Sequence, residues 1–156
     1  MFQKPRTPGA ATFAAVKRVS NEEAQALLAQ GARYLDVRTP EEFETGHVPG
    51  ALNLPLRLNG GAGMVDNPDF VRVAQAALSP REPLLVGCRS GARSAAAVQL
   101  LHTAGFTNLY DMTAGFAGSR DPFGRPLAGW SQEGRAVETG TPEQQSYEHL
   151  QHQLSS

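Results

Sequence analysis

The chain has 156 residues, enough to bury a single core without disulfide or metal support. Its formal net charge is −1, with 40% apolar and 19% charged residues. That balance excludes a chain built to coat nucleic acid or an anionic membrane, so neither is expected as a partner. One cysteine excludes an internal disulfide framework, a Cys-based zinc site and a two-thiol couple within the chain. No apolar run approaches the roughly 18 residues of a membrane span.

The first 18 residues are basic and free of acids, with Lys4, Arg6, Lys17 and Arg18 between Pro5, Pro8 and Gly9. They hold no continuous apolar stretch, so they do not read as a secretory signal. Residues 1–15 are read as a flexible leader and the protein as cytosolic, with plastid or mitochondrial import as the alternative. Ser20-Asn21-Glu22-Glu23 then forms a capping box. It predicts a helix through Ala24, Leu27 and Leu28 that stops at Gly31. Residues 34–37 are a short apolar run, the mark of a buried strand. Thr39-Pro40-Glu41-Glu42 repeats the helix start, and Gly46 ends that helix. A second short strand spans 51–54. Asn67-Pro68-Asp69-Phe70 caps a third helix with Val71, Ala74 and Leu78 on one face.

Residues 84–87 predict another buried strand. Cys88-Arg89-Ser90-Gly91-Ala92-Arg93 is a turn, and a helix from Ser94 to Ala104 follows, with Ala97, Val98, Leu101 and Ala104 as its apolar face. Gly105 closes it, and Leu109-Tyr110-Asp111 is a further strand. Strands separated by helices predict a mainly parallel sheet covered on both faces. Ligands of such sheets bind at the carboxyl ends of the strands, where Cys88 lies. Gly91 supplies the freedom to reverse from strand to helix. The loop amides and the helix N-terminus then concentrate positive potential on one spot, and Arg89 and Arg93 add full charges. This setting favours a thiolate and predicts a Cys88 pKa below the reference of about 8.5.

At this point two segments resemble the single-domain rhodaneses, sulfurtransferases that carry sulfur as a cysteine persulfide. One runs from Leu35-Asp36-Val37-Arg38-Thr39-Pro40 to Gly46-His47-Val48-Pro49-Gly50-Ala51. The other is Cys88-Arg89-Ser90-Gly91-Ala92-Arg93-Ser94, which is similar to the family's Cys-x-x-Gly-x-Arg loop. The stretch from Gly63 to Phe70 looks like the small plant and bacterial members of the senescence-associated type. The resemblance covers residues 16–137 and implies a three-layer α/β/α rhodanese-like fold. It departs from the family at one place. A Gly-Gly-x-x-x-Trp pattern is usual after the last strand, but here Ala114-Gly115-Phe116-Ala117-Gly118-Ser119 is found, and Trp130 comes later. Residues 119–129 are read as an insertion lining the pocket mouth.

The resemblance further implies a two-step transfer with no cofactor and no metal. Cys88 takes the outer sulfur of a small anionic donor such as thiosulfate. A thiol, cyanide or a protein sulfur acceptor then removes it. Arg89, Ser90, Gly91, Ala92, Arg93 and Ser94 form the persulfide loop. Arg93 shapes it and pairs with an acid, Arg89 meets the anionic donor, and Asp36 and Arg38 fix the sheet edge in support. Glu41 and Glu42 read as an acidic first turn, His47 as a structural turn residue, Asp111 as a tie to the loop, and Trp130 as packing. Two other readings stand beside this one. A carrier would pass persulfide to a protein partner. A phosphatase would place arginine six positions after cysteine, where this chain has Ser94, and an arsenate reductase would draw its second thiol from outside the chain. Residues 138–156 are read as a polar tail, a solvated helix or disordered, because their apolar content is thin.

Overall fold

The computed structural model describes residues 16–155, so the expected leader over 1–15 lies outside the described residues. In chain order come β1 (Val16–Val19), α1 (Asn21–Ala29), β2 (Arg33–Asp36), α2 (Pro40–Thr45) and β3 (Leu52–Asn53). A hairpin of β4 (Arg57–Asn59) and β5 (Met64–Asp66) precedes α3 (Phe70–Ala77), β6 (Leu84–Gly87), α4 (Ala92–Thr103) and β7 (Leu109–Met112). A second hairpin, β8 (Ser119–Arg120) and β9 (Pro126–Leu127), and α5 (Tyr147–His152) complete the chain.

The five-stranded sheet has the order β1-β7-β6-β2-β3, and every pair in it is parallel. Alternation along each strand sends side chains to two cores. Leu35, Leu84, Val86 and Leu109 face α3 and α4, whereas Tyr34, Leu85 and Met112 face α1 and α2. The architecture is therefore α/β/α, as the resemblance implies. The anticipated start signals are in place. Ser20 and Thr39 each close a capping box, and Pro40 takes the first helical position.

The expected Ala74 and Leu78 are buried in the core together with Phe70 and Val73, and Val71 packs against it partly buried. Three local readings change. The helix α3 begins later than the Asn67 motif suggests. Asn67 Oδ1 accepts from the Asp69 amide, and Asp69 makes no side-chain cap. The helix α4 starts two residues early, at Ala92, because Gly91 is its left-handed N-cap. Residues 138–155 are polar overall, but they are not a loose tail. Tyr147 and Leu150 of α5 are buried in the core against α3, and the Tyr147 hydroxyl accepts from Asn67 Nδ2 at 2.9 Å. Two well-spaced apolar side chains suffice to dock a short helix when a preformed face awaits them. The edge strand β1 escapes a periodicity reading because Lys17 and Arg18 interrupt its apolar residues.

Candidate functional site

The strand β6 is buried along its whole length and delivers Cys88 to the carboxyl edge of the sheet. The chain turns over Arg89 and Ser90 and enters α4 through Gly91, whose φ is 98°. A β carbon on Gly91 would stand 2.8 Å from the Thr113 carbonyl oxygen, so conformation and space both require glycine. The turn aims two N–H groups at the sulfur. Gly91 donates to Cys88 Sγ at 3.1 Å and Ser94 at 3.2 Å. Cys88 itself is 1% exposed and belongs to the core on the α3 and α4 side, while Arg89, Ser90 and Ala92 are exposed. The sulfur is sunk into the fold and its loop stands in solvent.

A second turn backs this loop. The amides of Phe116 and Ala117 donate to the carbonyls of Cys88 and Arg89 at 2.8 and 2.9 Å. Gly115 has a φ of 73°, and a β carbon there would lie 2.5 Å from the Arg89 carbonyl oxygen. Behind the loop, Ser94 Oγ is 2.7 Å from Asp111 Oδ1 and 3.1 Å from the Gly91 carbonyl. One hydroxyl proton cannot serve both. An ionised Asp111 takes it. A protonated Asp111 donates to Ser94 and leaves the hydroxyl proton for Gly91. Burial pushes the Asp111 carboxyl up, against the Ser94 hydrogen bond and the charge of Arg18. Asp111 thus ties the loop from behind, the role its strand-end position suggests.

Arg93 turns away from the sulfur to grip Glu42. Its Nη1 and Nη2 donate to Oε1 and Oε2 at 2.7 and 3.0 Å. Glu42 also accepts from the Thr39 amide and hydroxyl in the α2 capping box. Burial would raise this carboxyl, but the hydrogen bonds from Arg93 and Thr39 outweigh it and hold Glu42 at about 2. The sequence reading expects Arg93 to pair with an acid but explains Glu42 as an acidic first turn, so it does not name this partner. Nothing local signals it, because the partners are 51 residues apart.

Asp36 and Arg38 form a second bidentate pair. Arg38 Nη2 donates to Asp36 Oδ2 at 2.7 Å and Nε donates to Oδ1 at 3.0 Å. Nη2 also donates to the Gly46 carbonyl at 2.6 Å, and the guanidinium lies 4.5 Å from the Phe116 ring centroid. Asn53 Nδ2 donates to the Arg38 carbonyl at 2.9 Å. These partners fix the sheet edge. His47 stacks on Phe43 with ring centroids 3.8 Å apart and holds the Phe43 carbonyl through Nδ1 at 2.8 Å. Trp130 is buried, and its Nε1 donates to the Ala136 carbonyl. Residues 119–127 form the β8–β9 hairpin, which lines two adjoining clefts of about 480 and 420 Å³. Both clefts share Ser90, Ser119, Arg120 and Leu127, and neither is lined by Cys88.

The family described as "Rhodanese-like domain" matches residues 20–120. Thiosulfate sulfurtransferase 16, chloroplastic, from Arabidopsis thaliana is 46% identical over 99 residues, spanning 64% of this chain and 82% of that one. Senescence-associated protein DIN1 from Raphanus sativus is 43% identical over 99 residues, and the aligned stretch is 52% of its length. The first of these names refers to the chloroplast, so it lends the expected cytosolic location no support. Among the described residues no helix is long and apolar enough to cross a membrane. The crystal structure of Rv0390 from M. tuberculosis superposes with a TM-score of 0.65 at 23% identity, covering 80% of this chain and 98% of that one, a likeness of fold. With the family match spanning most of the sheet and the whole Cys88 loop, the chain belongs to the family of rhodanese-like domains.

Proposed function

We propose that this protein is a sulfurtransferase that moves a sulfane sulfur through a persulfide on Cys88. The observation that carries the reading is the pair of amides, from Gly91 and Ser94, directed at one sulfur at a strand end. N–H donors fixed in place stabilise negative charge on that sulfur without reorganising. The Cys88 thiolate attacks the outer sulfur of thiosulfate. A new S–S bond forms, the S–S bond of the donor breaks, and sulfite leaves with the electron pair. The negative charge then rests on the outer sulfur of Cys88. Cyanide or a thiolate attacks that sulfur, and the bonding pair returns to Cys88. This is covalent catalysis by an ionised nucleophile with a good leaving group, so no histidine base is required. Arg89, exposed on the loop, meets the anionic donor, and Arg93 holds the loop in shape from Glu42.

The Arg93 pairing also bears on the phosphatase reading. A guanidinium committed to Glu42 through two hydrogen bonds is not free to embrace a phosphate. Names of relatives that refer to thiosulfate sulfurtransferase support the choice of donor. The test is intact-mass analysis after incubation with thiosulfate. Wild-type protein gains one sulfur atom and loses it to cyanide as thiocyanate. Cys88→Ser stays folded, because the change is nearly isosteric, and neither gains sulfur nor makes thiocyanate. A variant that still makes thiocyanate would overturn the reading. A protein that loads sulfur but yields it only to a protein thiol would be a carrier.

A further inference from the structure

The family match ends at residue 120, within the β8–β9 hairpin, which builds a wall that faces the Cys88 loop. The larger cleft lies between that wall and the carboxyl ends of β1, β6 and β7, with Arg18, Ser90, Gly91, Thr113, Arg120 and Asp121 among its lining. Its charge is unbalanced. Asp121 is already engaged, accepting from the amides of Phe123 and Arg125 through Oδ1 and lying 3.6 Å from the Arg125 guanidinium. Arg18 forms no hydrogen bond or ion pair among the described residues. Arg120 donates only to the Gly124 carbonyl, through Nη1. Two cations thus face one concave surface whose own carboxylate, Asp121, is already engaged, while the charge of Arg18 also acts on Asp111 behind the loop.

The cleft also adjoins the loop that holds the reacting sulfur, although Cys88 itself does not line it. It shares Gly91, whose amide donates to Cys88 Sγ, and Ser90 beside it. Cys88 is buried, but a persulfide places its outer sulfur about 2 Å beyond Sγ. A small nucleophile such as cyanide needs only that sulfur. A larger acceptor must rest its body against the loop rim, and the cleft is the recess there. Resting on the sulfurtransferase reading, we infer that this cleft selects acceptors. It favours a small thiol bearing a carboxylate, held by Arg120 and Arg18 while its sulfur attacks the persulfide. In that step the acceptor thiolate forms an S–S bond to the outer sulfur, the Cys88 S–S bond breaks, and its electron pair returns to Cys88. The acceptor leaves as a persulfide, with no net oxidation.

The test loads the full chain with thiosulfate, removes the donor, and follows discharge by mass. The probes are 3-mercaptopropionate, 2-mercaptoethanol and cysteamine, compared at equal thiolate concentration because thiolate fraction and basicity both set the intrinsic rate. The order expected is carboxylate above neutral above cationic. Exposed charge contacts of this kind are each worth about threefold, so the carboxylate-to-neutral ratio should approach tenfold at low salt and fall as salt is added. Arg120→Gln and Arg18→Gln each lower the ratio about threefold. Because the ratio is taken within one protein, a partly misfolded variant does not distort it. A wild-type ratio near one, or a ratio untouched in both variants, overturns the inference while leaving sulfur transfer intact. Wild-type protein that never gains sulfur overturns both.

Discussion

Two bidentate arginine–carboxylate pairs flank the same corner of the molecule, and they differ in kind. Asp36 and Arg38 are two residues apart, and their side chains are 3% and 5% exposed. Glu42 and Arg93 are 51 residues apart, and theirs are 25% and 16% exposed. The first pair holds the end of β2 to the turns around it. The second spans from α2 to the Cys88 loop. Both use the planar fork that lysine lacks. The contrast separates a pair that supports the frame from a pair that sets the loop upon it.

Removing Arg38 should give the largest effect on stability. Arg38→Ala strands a buried carboxylate, and such losses run to about 3–5 kcal/mol. Urea unfolding reads it directly. Arg38→Lys should recover only part, since one ammonium cannot reproduce bonds to both Asp36 and Gly46. A loss below about 1 kcal/mol would erase the distinction between the two pairs. Glu42→Gln should cost less stability, about 1–2 kcal/mol for a partly exposed, well-formed pair. Its effect on sulfur loading should be larger in proportion, roughly tenfold if about 1.4 kcal/mol of loop positioning is lost. Its pH signature is specific. The Glu42 carboxyl falls from an ordinary 4.5 to about 2 in the folded protein. The stability it contributes is therefore complete above about pH 4.5 and disappears as the pH falls toward 2. Glu42→Gln should lack that acid limb.

The smallest effect sharpens the picture from behind the loop. Burial raises the Asp111 carboxyl in the folded state. Its contribution is thus greatest below the ordinary carboxylate pKa and is lost as the pH rises through the folded value. Asp111→Asn keeps an acceptor for Ser94 and never ionises. It should be modestly more stable than wild type at neutral pH, and the difference should shrink under acid. Thermal unfolding at several pH values measures it. A variant that is less stable at neutral pH would show that the charge on Asp111 is needed.

What could be read in advance follows the range of each interaction. Capping boxes, the Gly91 reversal and the buried strands are local, and each appears where its residues predict it. The parallel pairing and the two-sided core follow from alternating elements, since parallel strands need helical crossovers, whereas the strand order is set by contacts between distant segments. The Asp36–Arg38 pair is also local, and its supporting role could be guessed. The Glu42–Arg93 grip could not, because Glu42 already had a sufficient local explanation as a helix start. Tyr147 and Leu150 were hidden in a polar stretch, where composition averages over the two residues that matter. Residues 119–129 were read from their departure from the family pattern as lining the pocket mouth, and the folded chain places them as a hairpin that walls a recess beside Ser90.

Cys88 has one further consequence. Its side chain is counted among the atoms that fill the interior between β6 and the helices α3 and α4. The position of the proposed nucleophile is thereby inherited from close packing below as much as from the loop above. Evolution can remodel the rim freely, altering which molecules arrive. It cannot loosen the oily interior without blurring the aim of the sulfur. Durability and the proposed reactivity are therefore joined at one atom, while the proposed selectivity is left to a peripheral ribbon.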